Sequence, residues 1–246
     1  MMKKILISLV LLALGIGVYM LNDQPSFQGN IVLVGPPGSG KGTLAHTLSE
    51  HTNLPVLTVS TVLKQAMQND PALEKEVKAL MDQGKFVSDE VIEAVLSSEL
   101  KQSKYQHGVI FDGFPRTIQQ TLFFANNDLS IDLLIHLEVD DEAIVERMAG
   151  RLVHQPSGRM YHVTNNPPKV AGYDDITGER LSQRADDEPE IVRRRLKDYE
   201  RLTAPVLDWA NQEFKKEGVV KRIATINAMQ SIDEVWKDVE GLLQAK

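Results

Sequence analysis

The nine residues Gly35 to Thr43, GPPGSGKGT, bring four glycines, a lysine and two hydroxyls into one short stretch. Glycines at 35, 38, 40 and 42 let the backbone curl so that successive N–H groups point at a single anion, and Lys41 adds a mobile cation. The chemistry this suits is the cradling of a phosphate chain, with Gly38, Ser39, Gly40, Lys41, Gly42 and Thr43 around it. The general pattern places Ser or Thr directly after the lysine; here Gly42 intervenes, a GKGT variant. The apolar run Ile31 to Val34 precedes the loop and a helical pattern, Leu44 to Glu50, comes after it. A flexible connector would need neither the lysine nor that strand-to-helix context.

Asp112 closes the apolar run VIFD, where a carboxylate can orient Mg²⁺ or its waters beside a bound triphosphate. The next residues, DGFPRT, put Arg116 on a tight Gly-Phe-Pro turn, and a planar guanidinium held there can grip two phosphoryl oxygens at once. Arg147 and Arg151 are four residues apart on a helix opened by Asp140 and Asp141, so both emerge on one face, which by itself would suit a solvated surface. Arg184 and the run Arg193, Arg194, Arg195 lie further on; only one or two of the three can share a face, leaving at least one as surface charge. Phosphoryl transfer is mostly positioning, charge stabilisation and exclusion of water, so this set needs no Ser, Cys or His nucleophile.

The elements that must position these residues are legible as apolar runs: Ile31 to Val34, Val56 to Val59, Val109 to Phe111, Leu133 to Val139 and Val219 to Ile226. Helical patterns lie between them, which predicts an α/β fold with a mostly parallel sheet flanked by helices and ligands at the carboxyl ends of its strands. Two segments break the alternation. Val62 to Leu100 reads as a helical insertion, with Leu73, Val77 and Leu80 on one stripe, a turn at Gly84, and a second helix opened by Ser88 with Asp89 and Glu90. Leu152 to Leu181 is rich in turn formers and short β-runs, the composition of a small folded flap. Within it His154 and His162, with Asp174 and Asp175, raise the question of a metal. His154, Ser157, Asp174 and Thr177 lack the soft ligands zinc prefers, so a hydrogen-bonded cluster is expected and no structural zinc.

The 246 residues can bury a substantial core, and the part after residue 30 reads as one domain with insertions. A net charge of −7 argues against a general nucleic-acid binder and makes any nucleotide site local. No cysteine is present, so there is no disulfide framework and no thiolate chemistry. Residues 1–30 stand apart: Lys3 and Lys4 precede the uncharged apolar run Ile5 to Leu21, the layout of a secretory signal or signal anchor. With no clear small-x-small cleavage site after the run, an uncleaved anchor is the expectation, the domain being membrane-associated or exported; a buried helix, or initiation at Met20, are the bland alternatives.

GPPGSGKGT, DGFPRT, the arginine pair ending at Arg151, the flap HQPSGRMYHV…NPPK…YDDITGE and RADDEPEIVRRRL together resemble the bacterial long-lid adenylate kinases, over nearly all of residues 31–226. The resemblance implies an adenylate kinase-like domain over 31–246, with a P-loop NTPase-type core, an NMP-binding helical insertion at about 58–87 and a small β-rich lid at about 152–181. It implies reversible transfer of the γ-phosphoryl of Mg·ATP to AMP, giving two ADP, by a monomer, and a cytoplasmic location that conflicts with the N-terminal run. Gly38 to Thr43 would hold the ATP phosphates, Arg147 and Ala228 would lie by the adenine, and Arg151, Met160 and Tyr161 would contact ATP from the lid. Gly113, Phe114, Pro115, Arg116 and Gln120 would meet AMP, together with Lys85, Phe86 and Val87. Arg184 and Arg195 would bridge the phosphates when the lid closes.

Two departures bear on the acceptor and the base. Where the family has Ser-Thr-Gly-Asp and then an arginine in its AMP site, this chain has Thr58, Val59, Ser60 and Thr61 and then Lys64. A hydroxyl becomes an alkyl group and a forked guanidinium becomes a point charge. The family's Asp-Gly-Thr-Lys turn is here Thr225, Ile226, Asn227 and Ala228. The departures motivate two alternatives: a kinase for another nucleoside monophosphate, and a membrane-displayed nucleotide-binding module with weak turnover.

Overall fold

A computed structural model of the chain describes residues 27–82, 87–216 and 218–244. Strand β1 (Ile31–Val34) leads through the glycine loop into α1 (Lys41–Thr52), then β2 (Val56–Thr58), α2 (Val59–Asn69), α3 (Pro71–Asp82) and α4 (Asp89–Glu99). After these come β3 (Ile110–Asp112), α5 (Ile118–Asn126), β4 (Leu133–Glu138), α6 (Asp141–Ala149), β5 (Arg151–Val153) and β6 (Met160–His162). Helix α7 (Pro189–Asp198), a π turn (Tyr199–Thr203), α8 (Pro205–Lys215), β7 (Ile223–Asn227) and α9 (Ile232–Gln244) complete the chain. The main sheet has five parallel strands in the order β2-β3-β1-β4-β7, as the α/β expectation requires.

All four β1 side chains are buried, and they alternate between two cores. Ile31 and Leu33 pack with Leu44, Ala45 and Leu48 of α1 and Val239 of α9. Val32 and Val34 join Leu57, Phe111 and the Phe114, Phe123, Phe124 group on the other side. Those phenylalanines meet edge-on, with ring centroids 5.3 Å apart for Phe114 and Phe123 and 5.2 Å for Phe111 and Phe124. Phe123→Ala is expected to lower the unfolding free energy by about 3–5 kcal/mol, read from urea denaturation, because a fully buried ring leaves a cavity that this crowded cluster closes only in part.

Several boundaries differ from the pattern reading. Val59 opens α2 rather than ending β2, and β7 starts at Ile223; the stretch before it contributes only the bridge between Ile131 and Val220. The apolar stripe around Leu73 and Val77 does not continue the preceding helix. Pro71 has no N–H to donate and the Asp70 carboxylate accepts from the N–H groups of Ala72 and Leu73 at 2.9 and 3.1 Å, so a new helix starts there. The turn expected at Gly84 lies outside the described residues, while Ser88 opens α4 and accepts from the Val91 N–H. The extension with the Ile5 to Leu21 run also lies outside them; among the described residues no helix is long and apolar enough to cross a membrane.

The flap is a small β unit built on the antiparallel pair β5–β6. His154, 2% exposed, pairs Nδ1 with the Ser157 hydroxyl and Nε2 with the Glu179 carboxylate, both at 2.6 Å. Asp174 accepts from Arg159 (2.8 and 2.6 Å), the Tyr161 hydroxyl (3.0 Å) and the Thr177 N–H (2.8 Å) and hydroxyl (2.9 Å). These donors, Arg159 foremost, hold the Asp174 carboxyl far below the usual carboxylate range. The four expected members are thus joined by hydrogen bonds, with Arg159, Tyr161 and Glu179 as partners that the sequence does not single out. His162 stands apart, its Nδ1 accepting from the Thr164 and Asn165 N–H groups at 3.1 Å.

Candidate active site

The loop after β1 turns through left-handed φ values at Gly38 (82°) and Gly40 (97°), which glycine adopts without strain. At Gly38 a Cβ would also stand 2.8 Å from Met148 Cγ. Lys41 is the first residue of α1, so its ammonium and the open N–H groups of the first turn share one end of the helix. Its Nζ donates to the carbonyls of Gly35 and Pro36, each at 2.7 Å, which folds the side chain back over the loop. Burial pushes the Lys41 pKa down to about 8, with Asp112 opposing the fall and Arg116 and Arg195 adding to it.

Asp112 ends β3 in register with Leu33 of β1 and Thr58 of β2, at the same carboxyl edge of the sheet as the loop. Burial raises its pKa, while Lys41 and Arg116 pull it back. A Cβ built on Gly42 would lie 3.7 Å from Asp112 Oδ2 and 3.2 Å from the Met160 methyl, so the missing side chain in GKGT leaves room between loop, carboxylate and flap. An open groove of about 280 Å³ runs from Gly42 and Asp112 past Thr58 to His46 and Glu50 on α1.

Beyond Asp112 the chain turns at Gly113, where a Cβ would stand 2.8 Å from Arg116 Nη2. Arg116 Nε donates to the Gly113 carbonyl at 2.8 Å, fixing the root of an otherwise exposed guanidinium. Phe114 and Pro115 are buried, so the Phe114 ring belongs to the core and only the backbone of this pair can face a ligand. Gln120 is 5% exposed, and its amide accepts from the Arg116 N–H and donates to Asp89 Oδ1, both at 2.7 Å. Asp89, which the pattern reading uses only as a helix opener, therefore ties α4 to the arginine turn.

The other arginines converge on an acidic pair. Arg151 is bonded through Nε and Nη2 to Asp187, whose side chain is fully buried. Arg184 holds both oxygens of Asp186 at 2.8 Å, and Arg195 reaches the same carboxylate at 2.8 Å. Asp186 and Asp187 are legible in the sequence only as an acidic run before a helix; Asp186 meets its arginines within nine positions, whereas Asp187 meets Arg151 across 36. Of the triplet, Arg193 pairs with Glu142 on the exposed flank of α6 and Arg194 is exposed, so Arg195 alone turns to this site. Arg195 lies close enough to Lys41 to lower its pKa, which joins the arginine group to the loop.

The remaining expected contacts divide. Arg147 donates to the Ala228 carbonyl at 2.7 Å, so those two residues meet. Met160 reaches over Gly42, while the Tyr161 side chain is buried in the flap with its hydroxyl on Asp174, so only the backbone of Tyr161 is left to face a ligand. Val59 packs against the phenylalanine core and Lys64 is exposed one turn along α2. Val87 is half-buried before α4, and Lys85 and Phe86 lie outside the described residues.

Five cations, Lys41, Arg116, Arg151, Arg184 and Arg195, thus gather against three carboxylates, Asp112, Asp186 and Asp187, in a chain of net charge −7. A local positive excess at a glycine loop and helix N-terminus is what a polyphosphate requires. Among the described residues no group of three His, Asp or Glu could hold a metal alone. The single hard carboxylate of Asp112 suits a hard cation that keeps most of its waters. The adenylate kinase family model matches residues 33–217, which take in the loop, the arginine turn, the flap and α7, and the chain belongs to the adenylate kinase family.

Proposed function

We propose that, within the phosphotransferase chemistry on nucleoside monophosphates that its family carries, this chain is a long-lid, Mg²⁺-dependent adenylate kinase that moves the γ-phosphoryl of ATP to AMP and back. The observation that carries this reading is the placing of the glycine loop with Lys41, of Asp112 and of the Arg116 turn at one sheet edge, with Arg151, Arg184 and Arg195 gathered on Asp186 and Asp187. In this reading the loop N–H groups and Lys41 hold the ATP phosphates, and Arg147 with the Ala228 backbone borders the adenine. Arg116, Arg184 and Arg195 draw the acceptor phosphate into line. An AMP phosphate oxygen attacks the γ-phosphorus as the bond to the β,γ-bridging oxygen breaks, and ADP leaves with the electron pair. Asp112 would hold the waters of Mg²⁺, which would supply charge neutralisation for the transferring phosphoryl group. The flap over residues 152–181 excludes water, and the insertion over 58–87 carries the acceptor. One chain contains every group named, so a monomer suffices.

Mg·ATP with AMP, GMP, CMP or UMP tests the acceptor. AMP-dependent ADP formation supports the reading, preference for another monophosphate replaces AMP, and binding without turnover removes the enzyme. Lys64→Arg is expected to lower the KM for AMP about threefold to tenfold with kcat nearly unchanged, since a forked guanidinium grips a phosphate better than an ammonium. An unchanged KM would put Lys64 outside the acceptor site. The lysines and apolar run ahead of residue 22 support membrane association of the extension; recovery of the full chain in the soluble fraction after cell breakage would remove that part.

A further inference from the structure

The π turn between α7 and α8 has a local cause and a distant consequence. Pro205 offers no N–H to the carbonyl one α-turn back and its ring crowds that carbonyl, so the helix takes in one extra residue and Ala204 N–H bonds the Tyr199 carbonyl at 2.9 Å, a five-residue spacing. One extra residue rotates the next helix by about 100° relative to a plain α-helical continuation. The last residue of the π turn is Thr203, and its hydroxyl donates to the Arg116 carbonyl at 2.8 Å, across 87 positions of sequence.

We propose that Thr203 is a positioning residue for phosphoryl transfer, acting through the Arg116 peptide. This rests on the reading of Arg116 as a phosphate-gripping arginine. The Arg116 N–H is fixed by Gln120, which Asp89 of α4 holds in turn, and its carbonyl is fixed by Thr203. The Arg116 backbone is therefore held from both sides, by α5 and α4 on one and by the helix pair carrying Arg195 on the other. Removing the Thr203 clamp frees the carbonyl side of the turn and lets the guanidinium sample positions that miss the transferring group, while both nucleotides still bind.

Steady-state kinetics on the full chain test this with Thr203→Val, which keeps the shape and loses the donor, Thr203→Ala as a second deletion, and Thr203→Ser, which keeps the hydroxyl. Loss of one neutral hydrogen bond at the reacting geometry is expected to lower kcat about tenfold in the Val and Ala variants, with KM for ATP and AMP within about twofold. Thr203→Ser is expected to restore kcat to within about twofold of the parent, and Thr203→Val to cost less than about twofold in an Arg116→Lys background. A merely structural role would lower the thermal midpoint and track side-chain volume, not the hydroxyl. If Arg116→Ala is inactive while Thr203→Val turns over normally, or if the Thr203 loss is fully additive with Arg116→Lys, the inference is overturned and the kinase reading stands. Near-normal turnover in Arg116→Ala removes that reading and the inference with it.

Discussion

Arg116→Ala is expected to lower kcat by about two orders of magnitude or more, with ATP affinity changed little. The size reflects the usual contribution of an arginine aligned on a transferring phosphoryl group. The selectivity comes from the pairing pattern of this site. Arg151, Arg184 and Arg195 each sit against Asp186 or Asp187, so their charge is shared before any phosphate arrives. Arg116 makes no ion pair among the described residues; its Nε is spent on the Gly113 carbonyl, and the remaining donors can meet a phosphate without breaking a salt bridge. Steady-state rates together with calorimetric ATP binding check both halves. A variant with kcat within a few-fold of the parent would take Arg116 out of the transfer step, and a large loss of ATP affinity would move it to the donor side. Arg116→Lys is expected to recover only part of the rate, because an ammonium cannot make the forked contact.

The same contrast between local and tertiary partners explains which parts of the site are legible in the sequence. The loop is, because GPPGSGKGT needs only its own backbone and the strand before it, and that strand runs over Ile31–Val34 as the apolar run suggests. The flap cluster is legible in part: His154, Ser157, Asp174 and Thr177 lie within one short segment, and polar groups buried there have few partners to choose from. The break before α3 is not, since the apolar stripe of Leu73 and Val77 keeps its period while Asp70 and Pro71 reset the helix locally. Contacts made by the fold are invisible to pattern and spacing. Asp187 meets Arg151 across 36 positions, and Asp89 meets Gln120 across 31. No composition rule distinguishes a carboxylate that only opens a helix from one that also holds a distant side chain, so the pattern around Asp89 reveals its local function alone.

Lys41 carries the second large effect and a pH signature that other cations of the site lack. Lys41→Met is expected to reduce kcat/KM for ATP by about two to three orders of magnitude, as loss of a preorganised charge at a phosphate does. In the ligand-free protein its pKa is lowered to about 8, chiefly by burial. The folded chain thus binds this proton more weakly than the unfolded chain, so below pH 8 the charged lysine penalises the fold in full, and the penalty fades as pH rises from 8 toward the ordinary value of 10.5. A phosphate beside the ammonium reverses the bias and draws the pKa up again. ATP binding above about pH 8 must therefore take up a proton, and affinity should fall as pH rises, by up to about tenfold per unit. Titration calorimetry at pH 7 to 9.5 in two buffers of different ionisation enthalpy reads that uptake directly. Lys41→Arg is expected to abolish it, since a guanidinium stays charged throughout. An uptake that persists in Lys41→Arg, or none in the parent, would mean that the titrating lysine is not the group that meets the phosphates.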